Sequence, residues 1–199
     1  MGLTIHYNGR FKQGASLPDM IEEVKNVAEV HQWKYHIYET DFPKDSLGKK
    51  EYDDRIYGIH FTPPECESVQ FTFLSNGRMG SAFGLQCYGH DTTAKEHEYL
   101  YMLFTKTQFA GPVIHKFVVE LFRYMQDKYF DEFNVMDEAE YWETNNEEKL
   151  HQLFGYTTAV IEGLSNALDV FEPEKGEKME DYIIRVMTRV LKKNPKPED

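Results

Sequence analysis

The chain has 199 residues, of which 41% are hydrophobic and 15% aromatic, so it can fill one core and is not globally disordered. Its 34 acidic and 22 basic residues give a formal net charge of -12, which disfavours nonspecific binding to nucleic acid or anionic membranes. No apolar run approaches the roughly 18 residues that a membrane-spanning helix needs. Two cysteines and no signal-peptide pattern at the N-terminus predict a reduced, cytoplasmic protein.

The N-terminal region predicts one strand followed by one helix. Residues 3–7 alternate apolar and polar side chains, as a strand does. From Ser16 the apolar residues recur on one helical face, and Ser16 and Asp19 have the spacing of a capping box. We therefore expect a helix over about 16–32.

Three further strand patterns follow, KYHIYETDF, RIYGIHFTPP and SVQFTFL. Pro63-Pro64 ends the second one, because proline cannot donate to a ladder. Asn76-Gly77 follows the third and is typical of a two-residue type I′ turn. This turn predicts a hairpin in which Leu74 pairs with Met79.

The middle of the chain predicts a loop, a long strand and a second helix. Residues 84–97 have no clear period and two glycines, which indicates a long loop and a candidate lid. EYLYMLFTKTQF predicts a strand covered on both faces. Gly111-Pro112 then begins an amphipathic helix that reaches Tyr129, and FNVMDEAEYW predicts a last strand.

Two amphipathic helices, separated by a hinge at residues 172–178, predict a C-terminal hairpin. Short turns between the strands favour antiparallel pairing. The predicted fold is α+β, with a mostly antiparallel sheet packed by two helices. The predicted domains are a core at 1–143 and a hairpin at 144–199, packed on the core or on a second subunit.

MGLTIHY at the N-terminus and TKTQFAG at residues 105–111 resemble motifs of an uncharacterised bacterial protein family. The resemblance covers roughly residues 1–155 and leaves the C-terminal hairpin outside. It implies no known activity, cofactor or substrate, so it assigns no functional residue.

Lys106, Thr107 and Gln108 form a candidate ligand site, because they end a strand just before unpaired helix amides that attract anions. Strand alternation places Lys106 and Gln108 on one face and Thr107 on the other, and the phosphate-loop glycine spacing is absent. A Lys106 side chain that extends off the core to reach solvent is the favoured interpretation. His90, in the adjacent loop, is a further candidate ligand-binding residue.

Two chemical hypotheses concern the loop at 84–97. Cys87, His90 and His97, with Cys66, have the side chains of a zinc site, but only the spacing from Cys87 to His90 resembles a chelating pair. Cys87 and His90 also have the residue types of a nucleophile and its base, without an identifiable third member. Buried or inert cysteines and solvent-exposed histidines are favoured over both, and we predict no bound metal or cofactor.

Two further groups of residues are candidates for binding. Residues 131–148 contain eight carboxylates and no Lys or Arg, so they are candidates for a basic partner or a hard cation, although the calcium-loop pattern is missing. Solvated carboxylates near a helix N-terminus are the favoured explanation. His6, His36 and His60 lie in predicted strands and line one pocket only if those strands are neighbours.

No set of residues is better explained by catalysis than by structure, so the predicted function is a noncatalytic binding or interaction domain for a small ligand or a protein. The alternative is a hydrolase-like enzyme with a cleft between Lys106 and residues 84–97. The hairpin also predicts a homodimer, because an apolar seam runs along it at near-heptad intervals. The seam residues are Leu153, Ile161, Leu168, Ile183 and Val190.

Overall fold

The computed structural model describes residues 2–90 and 98–196 and confirms an α+β fold with antiparallel strands and a C-terminal helical hairpin. The strands are β1 (Thr4–Phe11), β2 (Lys34–Ile37), β3 (Tyr57–Thr62), β4 (Val69–Phe73), β5 (Leu103–Lys106) and β6 (Phe130–Asp137). The helices are α1 (Leu17–Val30), α2 (Ala82–Tyr88), α3 (Gly111–Tyr129), α4 (Tyr141–Thr144), α5 (Glu147–Val170) and α6 (Met179–Lys193).

The strands form two antiparallel sheets of three strands each, where the sequence suggested one. Their orders are β5-β1-β6 and β2-β3-β4. The Gln70 amide donates to the Tyr7 hydroxyl at 2.9 Å, and the Phe11 amide donates to the Gly77 carbonyl at 2.7 Å. These bonds join the second sheet to β1, which lies at the centre of the first.

One hydrophobic core is shared by both sheets and by α1 and α3. Tyr7 of β1 and Phe71 of β4 both pack against Phe122 of α3, with ring centroids 4.6 and 5.6 Å apart. Helix α1 begins as predicted, because the Ser16 hydroxyl accepts a hydrogen bond from the Asp19 amide at 3.2 Å. The apolar stripe of α1 faces the sheets.

The predicted turn at Asn76-Gly77 is present, but its type and register differ from the prediction. The Gly77 amide donates to the Leu74 carbonyl and the Leu74 amide donates to the Arg78 carbonyl, both at 2.9 Å. Of the turn residues only Gly77 has a positive φ, of 82°. This is a three-residue type I turn with a glycine bulge, and it pairs Met79 with Phe73 instead of Leu74.

Two predicted elements between residues 82 and 106 were wrong. The first part of the expected loop is helix α2, which begins where the Ser81 hydroxyl accepts from the Gly84 amide at 2.9 Å. Residues 91–97, which are half of the expected lid, lie outside the described residues. The long predicted strand is only β5, and Phe104 is 54% exposed, so its two faces are not both covered. A continuous apolar run lacks the periodicity that would separate a turn from a strand.

The hairpin of α5 and α6 has its own small apolar cluster beyond the main core. Leu150 and Phe154, in the first turns of α5, pack in the main core. Further along, a separate cluster is formed by Val160, Ala167, Tyr182, Val186 and Val190. A membrane-spanning helix is absent from the described residues, because none of their helices combines sufficient length with sufficient hydrophobicity.

Candidate functional site

Thr107 and Gln108 are buried residues that hold the end of β1. The side-chain oxygen of Gln108 accepts a hydrogen bond from the Leu3 amide at 3.0 Å, and the Thr107 amide donates to the Leu3 carbonyl at 3.0 Å. Both residues are at most 5% exposed. In this arrangement their side chains hold β1 within the fold and do not face solvent, and a ligand site at residues 106–108 stays a prediction.

Lys106 lies partly exposed at the end of β5. Its amide donates to the Glu67 carboxylate at 3.0 Å, and its ammonium nitrogen is 5.6 Å from the centroid of the Phe109 ring. This arrangement agrees with a side chain that extends along apolar surface towards solvent. His90 has different surroundings, with its Nε2 atom 3.8 Å from the carboxylate of Asp54.

Thr107 belongs to a buried hydroxyl, imidazole and carboxylate network. Its Oγ1 atom is 2.7 Å from Nδ1 of His115, and Nε2 of His115 is 3.0 Å from Oδ2 of Asp137. The side chains of His115 and Asp137 are 0% exposed. The residue types match a nucleophile, a base and an orienting acid, but no substrate can reach them in this arrangement.

Asp137 organises the chain around the end of β6. Its oxygens accept from the amides of Ala139 at 2.8 Å, Tyr141 at 2.9 Å and Trp142 at 3.0 Å. Burial opposes ionisation, but the hydrogen bond and charge of His115, together with the amides of Ala139 and Trp142, hold the pKa of Asp137 below its ordinary value. The ionised carboxylate therefore anchors the turn into α4.

The two cysteines have different surroundings, and those of Cys66 oppose formation of a thiolate. The Cys66 thiol donates to the Lys106 carbonyl at 3.6 Å, and burial, followed by the charge of Glu67, raises its pKa to about 12. Cys87 is exposed on α2. In the described ranges no three His, Cys, Asp or Glu side chains come together as a metal site. His97 lies outside those ranges, so the four-residue zinc hypothesis is not tested.

A cleft of about 380 Å³ opens between the two sheets, beside the start of α2. Three apolar side chains line it although they are exposed, Phe83 at 70%, Phe104 at 54% and Met102 at 48%. Its other lining residues are Tyr38, His60, Glu67, Ser68, Gln70, Ser81, Ala82 and Leu103. Apolar walls with a few polar groups are typical of small-molecule sites.

His60 provides an imidazole in this cleft. Its Nδ1 atom is 3.2 Å from the Tyr38 hydroxyl. Burial and the nearby His36 ring lower the pKa of His60, so the neutral ring predominates at neutral pH. His36 and His60 are paired across β2 and β3 with ring centroids 5.7 Å apart. His6 lines a neighbouring cavity of about 230 Å³, so the three histidines do not share one pocket.

Several carboxylates of residues 131–148 are used within the chain. Asp137 points inwards whereas Glu138 points outwards, as strand alternation predicts. Glu147 pairs with Lys116, and Glu140 pairs with Lys149 at 2.8 Å. Internal pairing therefore accounts for part of the acidic segment.

Sequence reasoning did not identify His115 and Asp137, although signals for both were present. His115 is three and seven residues before Val118 and Phe122 and so lies on the buried stripe of α3. Asp137 is two residues after Val135 and so shares its face of β6. A titratable residue on each apolar face indicates a buried polar pair.

No model of a known protein family, no curated protein and no solved structure matches the chain. The resemblance carried by MGLTIHY and TKTQFAG therefore stays a prediction.

Proposed function

We propose that the protein is a noncatalytic binding domain that holds a small organic molecule in the cleft between its two sheets. The observation that carries this proposal is the exposure of Phe83 and Phe104, at 70% and 54%, on the walls of that cleft. An aromatic side chain left in water is costly, and an apolar ligand between such walls removes their surface from water. The volume of about 380 Å³ suits a small ligand.

The polar floor of the cleft narrows the class of ligand. Glu67 supplies a carboxylate, while Gln70 and neutral His60 supply groups that donate or accept hydrogen bonds. Among the described residues that line the cleft there is no Lys or Arg to balance the charge of Glu67. We therefore propose an uncharged or cationic ligand with an aromatic or similarly flat apolar body.

The hydrolase-like alternative is weaker for two reasons. Gln108 is buried and His90 does not line the cleft. The hydroxyl, imidazole and carboxylate of Thr107, His115 and Asp137 are sealed in the core. A binding role requires neither a nucleophile nor a base.

Free Cys66 and Cys87 fit the proposed reducing cytoplasm.

Ligand-observed NMR with benzylamine, benzyl alcohol and benzoate tests the cleft. We expect saturation transfer to benzylamine and benzyl alcohol at millimolar concentration, and less to benzoate because Glu67 repels it. Phe104→Ala should remove the signals. Phe109→Ala is the matched control, because Phe109 is 65% exposed in the same segment but does not line the cleft.

Two results would overturn the cleft proposal. One is the absence of saturation transfer to all three probes with the unmodified protein. The other is an equal loss of signal in Phe104→Ala and Phe109→Ala. Glu67→Gln should reduce the preference for benzylamine over benzoate, and an unchanged preference would contradict the assigned ligand charge.

We further propose that the α5–α6 hairpin joins two copies of the chain. Of the predicted seam, Leu153 and Val190 are buried within the chain, at 6% and 5% exposure, so they cannot contribute to a dimer as expected. Leu168 and Ile183 remain 42% and 43% exposed, and Ile161 is half-buried. Helical spacing places Ile161 and Leu168 on one side of α5, opposite Val170, which lines a groove of the hairpin.

The charges of the hairpin favour a second copy in antiparallel orientation as the occupant of this face. Residues 169–181, at the tip, have six acidic and two basic side chains, whereas residues 182–196 have five basic and no acidic ones. Two hairpins side by side with opposite directions would place each acidic tip against the basic part of the other. A two-fold axis produces both contacts at once.

Sedimentation equilibrium tests the dimer. The unmodified protein should have the mass of two chains at tens of micromolar, and Leu168→Asp should have the mass of one. Val170→Asp is the matched control, because Val170 is 73% exposed two residues along the same helix but lines the opposite groove. A single-chain mass for the unmodified protein, or equal effects of the two variants, would refute this arrangement.

A further inference from the structure

Another cavity, of about 320 Å³, is lined by four cationic side chains of this acidic protein. Arg10, Lys49, Lys50 and Arg78 line it, together with Gly48, Asn76 and Tyr101. The cations come from three separate segments, which are β1, the loop before β3 and the turn after β4. Such a concentration of positive charge is unexpected in a chain with a net charge of -12.

Backbone hydrogen bonds fix the turn beside β1 and so place the two arginines together. The Phe11 amide donates to the Gly77 carbonyl at 2.7 Å, and the Met79 amide donates to the Gly9 carbonyl at 2.9 Å. Arg10 and Arg78 are therefore directly opposite in an antiparallel bridge. Like charges in this position repel each other and destabilise the pair.

Buried Asn76 attaches the lysine loop to the same turn. Its carbonyl accepts from the Gly48 amide at 3.0 Å, and its side-chain amide donates to the Lys50 carbonyl at 3.5 Å. Its side-chain oxygen accepts from the Arg78 amide at 3.0 Å. Asn76, which is 1% exposed, therefore holds Lys49 and Lys50 beside Arg78.

The guanidinium of Arg78 lies over an aromatic ring. Its central carbon is 3.3 Å from the centroid of the Tyr101 ring. Stacking occupies the face of the guanidinium and leaves its N–H groups, which lie in its plane, available to an anion. The forked donors of two arginines suit the oxygens of a phosphate group.

Ion pairs in the described part of the chain do not neutralise these four charges. Within the described ranges none of the four forms an ion pair. Glu132 is opposite Arg10 on β6, but it does not line the cavity. An anion with more than one negative charge would relieve the repulsion between Arg10 and Arg78.

We propose that this cavity binds the phosphate or diphosphate group of a small molecule. The site is separate from the cleft proposed above and does not depend on it, because the two share no lining residue. The acidic remainder of the protein favours a small phosphorylated molecule over a nucleic acid.

Calorimetric titration with inorganic pyrophosphate and with inorganic phosphate, at constant ionic strength, tests the site. Both should bind, and pyrophosphate should bind more tightly because it carries more charge. Arg10→Gln and Lys49→Gln should each raise the dissociation constant about tenfold, as expected for the loss of one hydrogen bond to a charged group. Lys12→Gln is the matched control, since Lys12 is exposed two residues after Arg10 but does not line the cavity.

The following outcomes would overturn the proposal. One is the absence of binding heat from pyrophosphate at millimolar concentration with the unmodified protein. Another is a loss of affinity in Lys12→Gln as large as that in Lys49→Gln. A thymidine oligonucleotide that binds more tightly than pyrophosphate and depends on Lys49 would refute a small-molecule ligand. Circular dichroism of each variant verifies its fold, and exposed Lys49 keeps the test decisive if Arg10→Gln fails to fold.

Discussion

Replacement of Asp137 should destabilise the protein more than replacement of any exposed carboxylate. Asp137→Ala removes the acceptor for four donors, the His115 ring and the amides of Ala139, Tyr141 and Trp142. At about 1–3 kcal/mol for each buried donor left unpaired, with some donors regaining water, we expect a loss of about 5 kcal/mol. This is comparable with the whole stability of a typical domain, about 5–15 kcal/mol.

Urea unfolding followed by circular dichroism measures this loss. Asp131→Ala is the matched control on the same strand, because exposed Asp131 accepts one hydrogen bond, from the Gln13 amide at 3.1 Å, and should lose about 0.5–1.5 kcal/mol. Asp137→Asn keeps one acceptor oxygen and should lie between the two, so it remains measurable if Asp137→Ala does not fold. Equal stabilities of Asp137→Ala and Asp131→Ala would refute the structural role of the network.

The folded structure also determines how the protein responds to low pH, to glycine substitutions and to a thiol-reactive dye. Folding lowers the pKa of Asp137, so the stabilisation by this carboxylate is fully present above about pH 4 and is lost as the pH falls through the folded pKa. In acid titrations the stability difference between the unmodified protein and Asp137→Asn should therefore shrink below about pH 4. A constant difference would contradict this. Gly58→Ala should lower the free energy of unfolding by about 3 kcal/mol or more, because Gly58 has a φ of 109° and a Cβ there would lie 2.2 Å from the Phe71 carbonyl oxygen. Gly14→Ala should lower it by only about 1–2 kcal/mol, because Gly14 has a φ of 87° but open space around it. Equal effects of the two variants in thermal unfolding would contradict the close approach at Gly58. A thiol-reactive dye at pH 8 should label exposed Cys87 in the native protein and Cys66 only after unfolding, because burial raises the pKa of Cys66 to about 12. Rapid labelling of both cysteines in the native protein would contradict the partial burial of Cys66.

Much of the secondary structure could be predicted because its signals are local. The capping box at Ser16 defines the start of α1, and the φ of Gly77 permits a tight turn. Local signals failed where the apolar run before β5 had no clear period, so that only residues 103–106 form the strand. The register of the Gly77 turn also failed, since Asn-Gly fits both a two-residue turn and a three-residue turn with a bulge.

The sequence by itself determined the α+β class and the C-terminal hairpin, since helical and strand periods are properties of neighbouring residues. Tertiary structure decided which polar residues meet. Thr107 and Asp137 are 30 positions apart and join through His115, and Arg10 and Arg78 face each other across a bridge between distant segments. Pairings over such separations depend on strand register and sheet division. For this reason the residues that the sequence indicated for binding, Thr107 and Gln108, lie in the core, and the candidate sites are elsewhere.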